Sequence, residues 1–198
     1  MTDVGKPTAA PARARGAPTP TITGAIVGVA AIVAAAVSHQ APRTAAHEGT
    51  IYRAYLDPAK IPTICNGHTA GVRLGMVATK AQCDAWLRAD LAEHTAAALR
   101  STPALAEMPS ALEQAGDFHF NAGPTWWSKS PMAGAFAKRQ WRAGCEAFRG
   151  YIVSYRAPKV VPGRACRRNA RGVLYCQAPG LIARRERERA LCLAGLPA

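Results

Sequence analysis

Between Arg15 and Arg43 the chain carries no formal charge, and inside that interval Ile22–Val37 (ITGAIVGVAAIVAAAV) is built from Ile, Val, Gly and Ala with only Thr23 among them. Such a segment must lie in lipid, be cut away, or be buried. As a helix its sixteen residues reach roughly 24 Å at about 1.5 Å each. That is short of a hydrocarbon core of roughly 30 Å unless Thr19–Thr21 and Ser38–Gln40 join in. Its seven Ile/Val residues contribute roughly −0.3 to −0.6 kcal/mol each, a few kcal/mol in favour of insertion. Lys6, Arg13 and Arg15 precede it and Arg43 alone follows closely. The charge bias therefore predicts a disordered basic tail over 1–20, kept cytoplasmic, and a weak transmembrane signal-anchor over 21–40. A cleavable signal peptide is the rival, because Ala34-Ala35-Ala36 offers a small-residue site. A buried core helix is the third reading. Either membrane reading exports the rest of the chain.

The cysteines fit an exported domain. Cys65, Cys83, Cys145, Cys166, Cys176 and Cys192 form an even set with no CxxC pair, which speaks for disulfides and against zinc. Six cysteines allow about fifteen connectivities. Only Cys166–Cys176 is suggested locally, closing a basic loop that contains glycine.

Charge is uneven. The chain has 198 residues and a formal net charge of +13. Residues 138–198 hold fourteen basic and three acidic residues, whereas 44–137 are nearly balanced. A polyanion is the natural partner of such a region. Nucleic acid is not expected, since no zinc finger, basic zipper or stacking-aromatic motif accompanies the charge. Arg184, Arg185, Arg187 and Arg189 alternate with Glu186 and Glu188, which reads as a solvated helix face with local ion pairs.

Chemistry concentrates in residues 48–69 (EGTIYRAYLDPAKIPTICNGHT). Arg43–Glu48 reads as the end of a helix, with Gly49 placed as its C′ cap. Glu48 would then stand at a helix C-terminus, where the macrodipole disfavours the anion, the bias a general acid needs near neutral pH. Asp57 sits in an Asp-Pro turn, where backbone N–H groups favour its ionised form. Two carboxyls held in opposite protonation states are the equipment for cleaving a glycosidic bond. Taken alone, however, a surface Glu, a turn Asp and Thr63 are ordinary.

The spacing E-x8-D-x5-T at Glu48, Asp57 and Thr63, followed by I-x-x-G-H-T, resembles the catalytic region of phage-type lysozymes, glycoside hydrolase family 24. ATKAQCDAWLRADL around Cys83, FNAG at Phe120–Gly123 and PGLIARRERERALCLAG at Pro179–Gly195 follow in the order those enzymes show. The resemblance covers about residues 43–195 and extends to the lambdoid endolysin branch in the placing of Cys65, Cys83, Cys145 and Cys192. It implies that Glu48 donates the proton, that Asp57 stabilises positive charge or orients water, and that Thr63 holds that water. Asn121 would line the cleft or make a loop hydrogen bond, and His68 would more often be structural than catalytic. The implied reaction is inverting hydrolysis of the β-1,4 bond between N-acetylmuramic acid and N-acetylglucosamine in peptidoglycan, lysing the host. It needs no metal or cofactor and is carried out by a monomer. The resemblance includes signal-anchor-release endolysins, held at the inner membrane here through Ile22–Val37 and then released to the periplasm. The alternative is a non-catalytic cationic wall- or membrane-binding protein, a decayed lysozyme.

Two positions depart from that pattern. Asn66 stands where the family often has an aromatic or histidine, and Lys60 where glycine is frequent. Residues 156–178 form an insertion carrying Cys166 and Cys176. Thr79–Gln82 and Ser110–Glu113 read as capping boxes, Ser130-Pro131 as a helix start, and Trp141–Arg149 and Leu181–Leu193 as helices. Cys83, Trp86, Leu87, Leu91, Ala98 and Leu99 follow helical spacing, with Trp86 expected in the core. Only the region near 50–75 has strand character. The expected fold is α+β and mainly helical, two-lobed with a small β lobe, preceded by a membrane-inserting helix.

Overall fold

The computed structural model describes residues 22–197; the tail predicted over 1–20 lies outside the described residues. Among these residues seven α-helices, a 3-10 helix (Pro103–Glu107) and two small antiparallel sheets follow one another: α1 (Ile22–Glu48), β1 (Ile51–Leu56), β2 (Pro62–Cys65), α2 (Lys80–Ser101), the 3-10 helix, α3 (Pro109–Ala122), α4 (Pro124–Ser128), α5 (Pro131–Ala137), α6 (Trp141–Glu146), β3 (Ser154–Arg156), β4 (Cys166–Arg168), β5 (Leu174–Gln177) and α7 (Pro179–Ala194). The main core gathers Leu91, Leu105, Leu112, Phe118, Trp127, Phe136 and Phe148 from the helices.

The apolar segment does not precede this core; it runs into it. Val33, Ala36, Val37 and Ala41 are buried in the main cluster. Polar contacts fasten the next turn to α3: His39 and Arg43 each reach the Glu113 carboxylate at 2.8 Å, and Gln40 donates to the Glu113 carbonyl. Gly116 of α3 makes room, because a Cβ there would meet Thr95 Oγ1 at 2.2 Å and Gln40 Nε2 at 2.7 Å. Among the described residues no helix is long and apolar enough to cross a membrane. Val33, Ala36, Val37 and Ala41 take the positions the buried-helix reading expects, and a separate membrane-inserting helix is not shown among the described residues. The two environments compete closely. Burying a valine is worth about 1.5–3 kcal/mol, so Val33 and Val37 together match what the whole Gly/Ala-rich segment gains from lipid.

The capping box at Thr79 is present, with Thr79 Oγ1 accepting from Gln82 N–H and Gln82 Oε1 from Thr79 N–H. Ser130 caps α5 with Pro131 in its first turn. Ser110 caps nothing: α3 starts at Pro109, and the Ser110 hydroxyl instead donates to the Cys192 carbonyl at 3.2 Å. The helix expected over Trp141–Arg149 stops at Glu146.

The small β lobe is the β1–β2 hairpin with a core of Ala54, Ile64, Cys65, Val72, Ala78 and Cys83. Trp86 packs against it half-buried instead of entering the main core. A second β region, which the sequence reading did not anticipate, occupies the insertion. Its strands lie in the order β3-β5-β4 over a core of Ala157, Leu174 and Cys176. The bridges are Cys65–Cys83, Cys145–Cys192 and, as suggested locally, Cys166–Cys176. The first ties the β hairpin to α2, and the second ties α6 to α7.

Candidate active site

Glu48 is the last residue of α1, and Gly49 reverses the chain at φ 68°, a conformation glycine adopts without cost. The side chain emerges into a cleft of about 330 Å³. One wall is the turn after β2 (Asn66–Ala70), and the other is α2 (Asp90, Glu93, His94) with the end of α3 (Phe120, Asn121). The two lobes thus meet around Glu48.

Behind the cleft lies a buried ionic chain. Arg184 of α7 donates to Glu48 and, through Nη2 at 3.0 Å, to Asp117 of α3. Thr44 of α1 donates to the same Asp117 oxygen at 2.8 Å. Arg185 lies over the Phe118 ring at 4.5 Å and donates to Asn121 Oδ1. Its Nη1 is 2.8 Å from Glu188 Oε2, yet neither Glu188 oxygen has an aligned donor. Arg184, Arg185 and Glu188 are all buried, so this stretch of α7 is not the solvated face expected from its alternating charges. Only Glu186, Arg187 and Arg189 stay accessible, with Arg189 paired to Glu146.

The protonation of this chain follows from its surroundings. Burial pushes the Glu188 carboxyl well above the usual carboxylate range, against the pull of Arg185. Burial would raise Asp117 too, but the charge and hydrogen bonds of Arg184 and the bond from Thr44 outweigh it and hold Asp117 low. Burial also works against the charge of Arg184, and Asp117 and Glu48 more than restore it. Glu188 therefore favours its protonated form more strongly than an exposed carboxyl does.

Asn66 is buried, and its Nδ2 donates to the Gly49 carbonyl and to Thr50 Oγ1 at 3.0 Å. It fixes the corner just past Glu48, a role the sequence reading did not give it. His68 lines the cleft but is held structurally: its Nδ1 is 2.8 Å from Asp90 Oδ2, and its ring stacks on Trp86 at 4.9 Å. Asn121 both lines the cleft and accepts from Arg185. Further along the wall His94 Nδ1 meets His119 Nδ1 at 2.8 Å, and burial with the neighbouring His94 lowers His119 to about 4. That pair shares one N–H between two ring nitrogens.

Asp57 and Thr63 sit on the β1–β2 hairpin, outside the ring of residues lining the cleft. Asp57 Oδ1 accepts from Ile61 N–H at 2.8 Å across the turn. Lys60 takes the left-handed conformation at φ 63° in that turn. Thr63 is buried, opposite Tyr55, and its hydroxyl donates to the Ile61 carbonyl at 2.9 Å. Among the described residues no group of His, Cys, Asp and Glu is placed to hold a metal ion.

The architecture is lysozyme-like, helical with small sheets. It is similar to the muramidase domain of SpmX from Asticaccaulis excentricus (TM-score 0.64, 22% identity, 80% of this chain and 96% of that one). It is similar to the active form of the P1 phage endolysin Lyz (TM-score 0.61, 22% identity, 85% and 95%) and to the endolysin of Escherichia coli O157:H7 phage FAHEc1 (TM-score 0.53, 19% identity, 92% and 98%). No curated protein matches the chain by sequence. The model of the phage lysozyme family matches residues 45–171, and the chain belongs to that family.

Proposed function

We propose that this protein is an endolysin, a muramidase that hydrolyses the β-1,4 bond between N-acetylmuramic acid and N-acetylglucosamine in peptidoglycan and so lyses the host cell. The observation that carries the reading is the placing of the Glu48 carboxyl at the meeting of the two lobes, oriented by a buried arginine. Glu48 gives its proton to the glycosidic oxygen. Asp57 stabilises the developing positive charge or orients the attacking water, and Thr63 helps hold that water. The family resemblance makes the outcome inversion, which needs room for water beneath the sugar.

Export completes the reading. The chain is held at the inner membrane through its N-terminal segment, with the N-terminus cytoplasmic, and is released to the periplasm. Three disulfides among the described residues suit such an oxidising compartment. Release frees Val33–Ala41 to take the core positions described above.

Mass spectrometry of purified peptidoglycan treated with the full chain tests the reaction. Hydrolysis leaves reducing N-acetylmuramic acid ends. Ends of the 1,6-anhydro type would show a transglycosylase instead, and the absence of any soluble fragment would show a non-catalytic binder.

A further inference from the structure

A cavity of about 910 Å³ lies between α4 and the inserted sheet and shares no lining residue with the catalytic cleft. Trp126, 49% exposed, forms part of its wall together with Tyr175, Arg167, Arg168, Asn169 and Gln177. On the other side of Arg168 a second cavity is lined by Arg156, Arg168 and Arg171. Residues 154–177 carry six basic side chains and no acidic one. Among the described residues none of those six makes an ion pair with a carboxylate, whereas Arg139, Arg149, Arg184, Arg185 and Arg189 all do. Arg164 rests on the Tyr155 ring, and Arg168 donates to the Gly172 carbonyl at 2.7 Å, so these two guanidiniums are held in place without being neutralised. The Cys166–Cys176 bridge joins directly paired residues of β4 and β5 and fixes the surface that presents them.

An exposed indole beside unneutralised arginines suits a sugar ring that carries carboxylates nearby: the ring stacks on the aromatic face and the anion meets the guanidinium fork. We propose that the Trp126–Arg167–Arg168 cavity is a second binding site for the peptidoglycan strand. It takes an N-acetylated sugar with its carboxylate-bearing peptide and so holds the insoluble polymer while the cleft cuts elsewhere along it. The proposal rests on the muramidase reading and deepens it. Trp126 follows Asn121 of the cleft wall by only five residues, so one chain segment serves both sites.

Pelleting of the full-length Glu48→Gln protein with purified sacculi measures binding without digestion. Adding Trp126→Ala, or separately Arg167→Glu with Arg168→Glu, is expected to weaken that binding at least tenfold. In the otherwise native enzyme the same changes should slow hydrolysis of sacculi while leaving hydrolysis of a short soluble oligosaccharide unchanged. Unchanged pelleting overturns the site, as does an equal loss on both substrates. Tight capture of single-stranded DNA together with weak capture of sacculi, both lost in the arginine variant, would also overturn it and mark the surface as a nucleic-acid site. A parent that pellets but cuts neither substrate would sink the muramidase reading while leaving the binding site standing.

Discussion

Arg184 of α7 holds the Glu48 carboxylate from 136 residues further along the chain, and it does so from a buried position. The same guanidinium binds Asp117, so one side chain orients the proton donor and joins helices α1, α3 and α7. Arg184→Gln leaves Asp117 buried without its cation. Removing one partner of a buried pair costs about 3–5 kcal/mol, and denaturant unfolding should show a loss of that size. Misplacing Glu48 by about 1 Å should cost roughly a hundredfold in muropeptide release.

Glu188 gives a pH signature. Its carboxyl titrates near 4.5 in the unfolded chain and well above that in the fold. Its contribution is complete below pH 4.5 and declines as pH rises toward the folded value, because the unfolded chain gives up the proton first. Asp117 behaves oppositely: its stabilisation is present above 3.8 and is lost as pH falls through its depressed folded value. Glu188→Gln mimics the neutral acid. It should leave stability at acidic pH within about 1 kcal/mol of the parent and flatten the decline above pH 4.5, as measured by urea unfolding across pH.

The site was legible in the sequence where it is local, and illegible where it is not. Glu48 at a helix end, the Gly49 reversal and the Asp57 turn depend on neighbouring residues, and all appear as read. The ionic chain behind Glu48 joins α1, α3 and α7, and an alternating Arg/Glu run looks solvated until its partners are known. One signal was present: Arg184 and Glu188 lie eight and four residues before Cys192, hence on the face of α7 that carries a buried disulfide. The apolar segment is ambiguous for a related reason. Lipid and a helical core ask for the same Val and Ala residues, and only the polar residues His39, Gln40 and Arg43, which meet α3, distinguish the two. The second sheet escaped notice because its strands are three or four residues long and polar on the outside.

The bridges should differ in weight. Cys145–Cys192 closes 47 residues and Cys166–Cys176 closes 10. Loop-closure entropy assigns them about 4 and 2.7 kcal/mol, respectively. Cys145→Ala with Cys192→Ala should lower the unfolding free energy of the whole domain. Cys166→Ala with Cys176→Ala should loosen only the inserted sheet, read as faster amide exchange over 154–177 with protection in α2 and α3 unchanged.

Lys60 holds a left-handed backbone that costs a non-glycine residue about 1–2 kcal/mol. Lys60→Gly removes that cost and gives back part of it as backbone entropy. A net gain of up to about 1 kcal/mol is expected in thermal unfolding.

Release of soluble muropeptides from purified cell wall by the full chain, set against its Glu48→Gln variant, bears most directly on the catalytic claim. The account predicts release by the parent and at least a thousandfold loss in a variant whose unfolding transition matches the parent's. Equal release by the two proteins would contradict it.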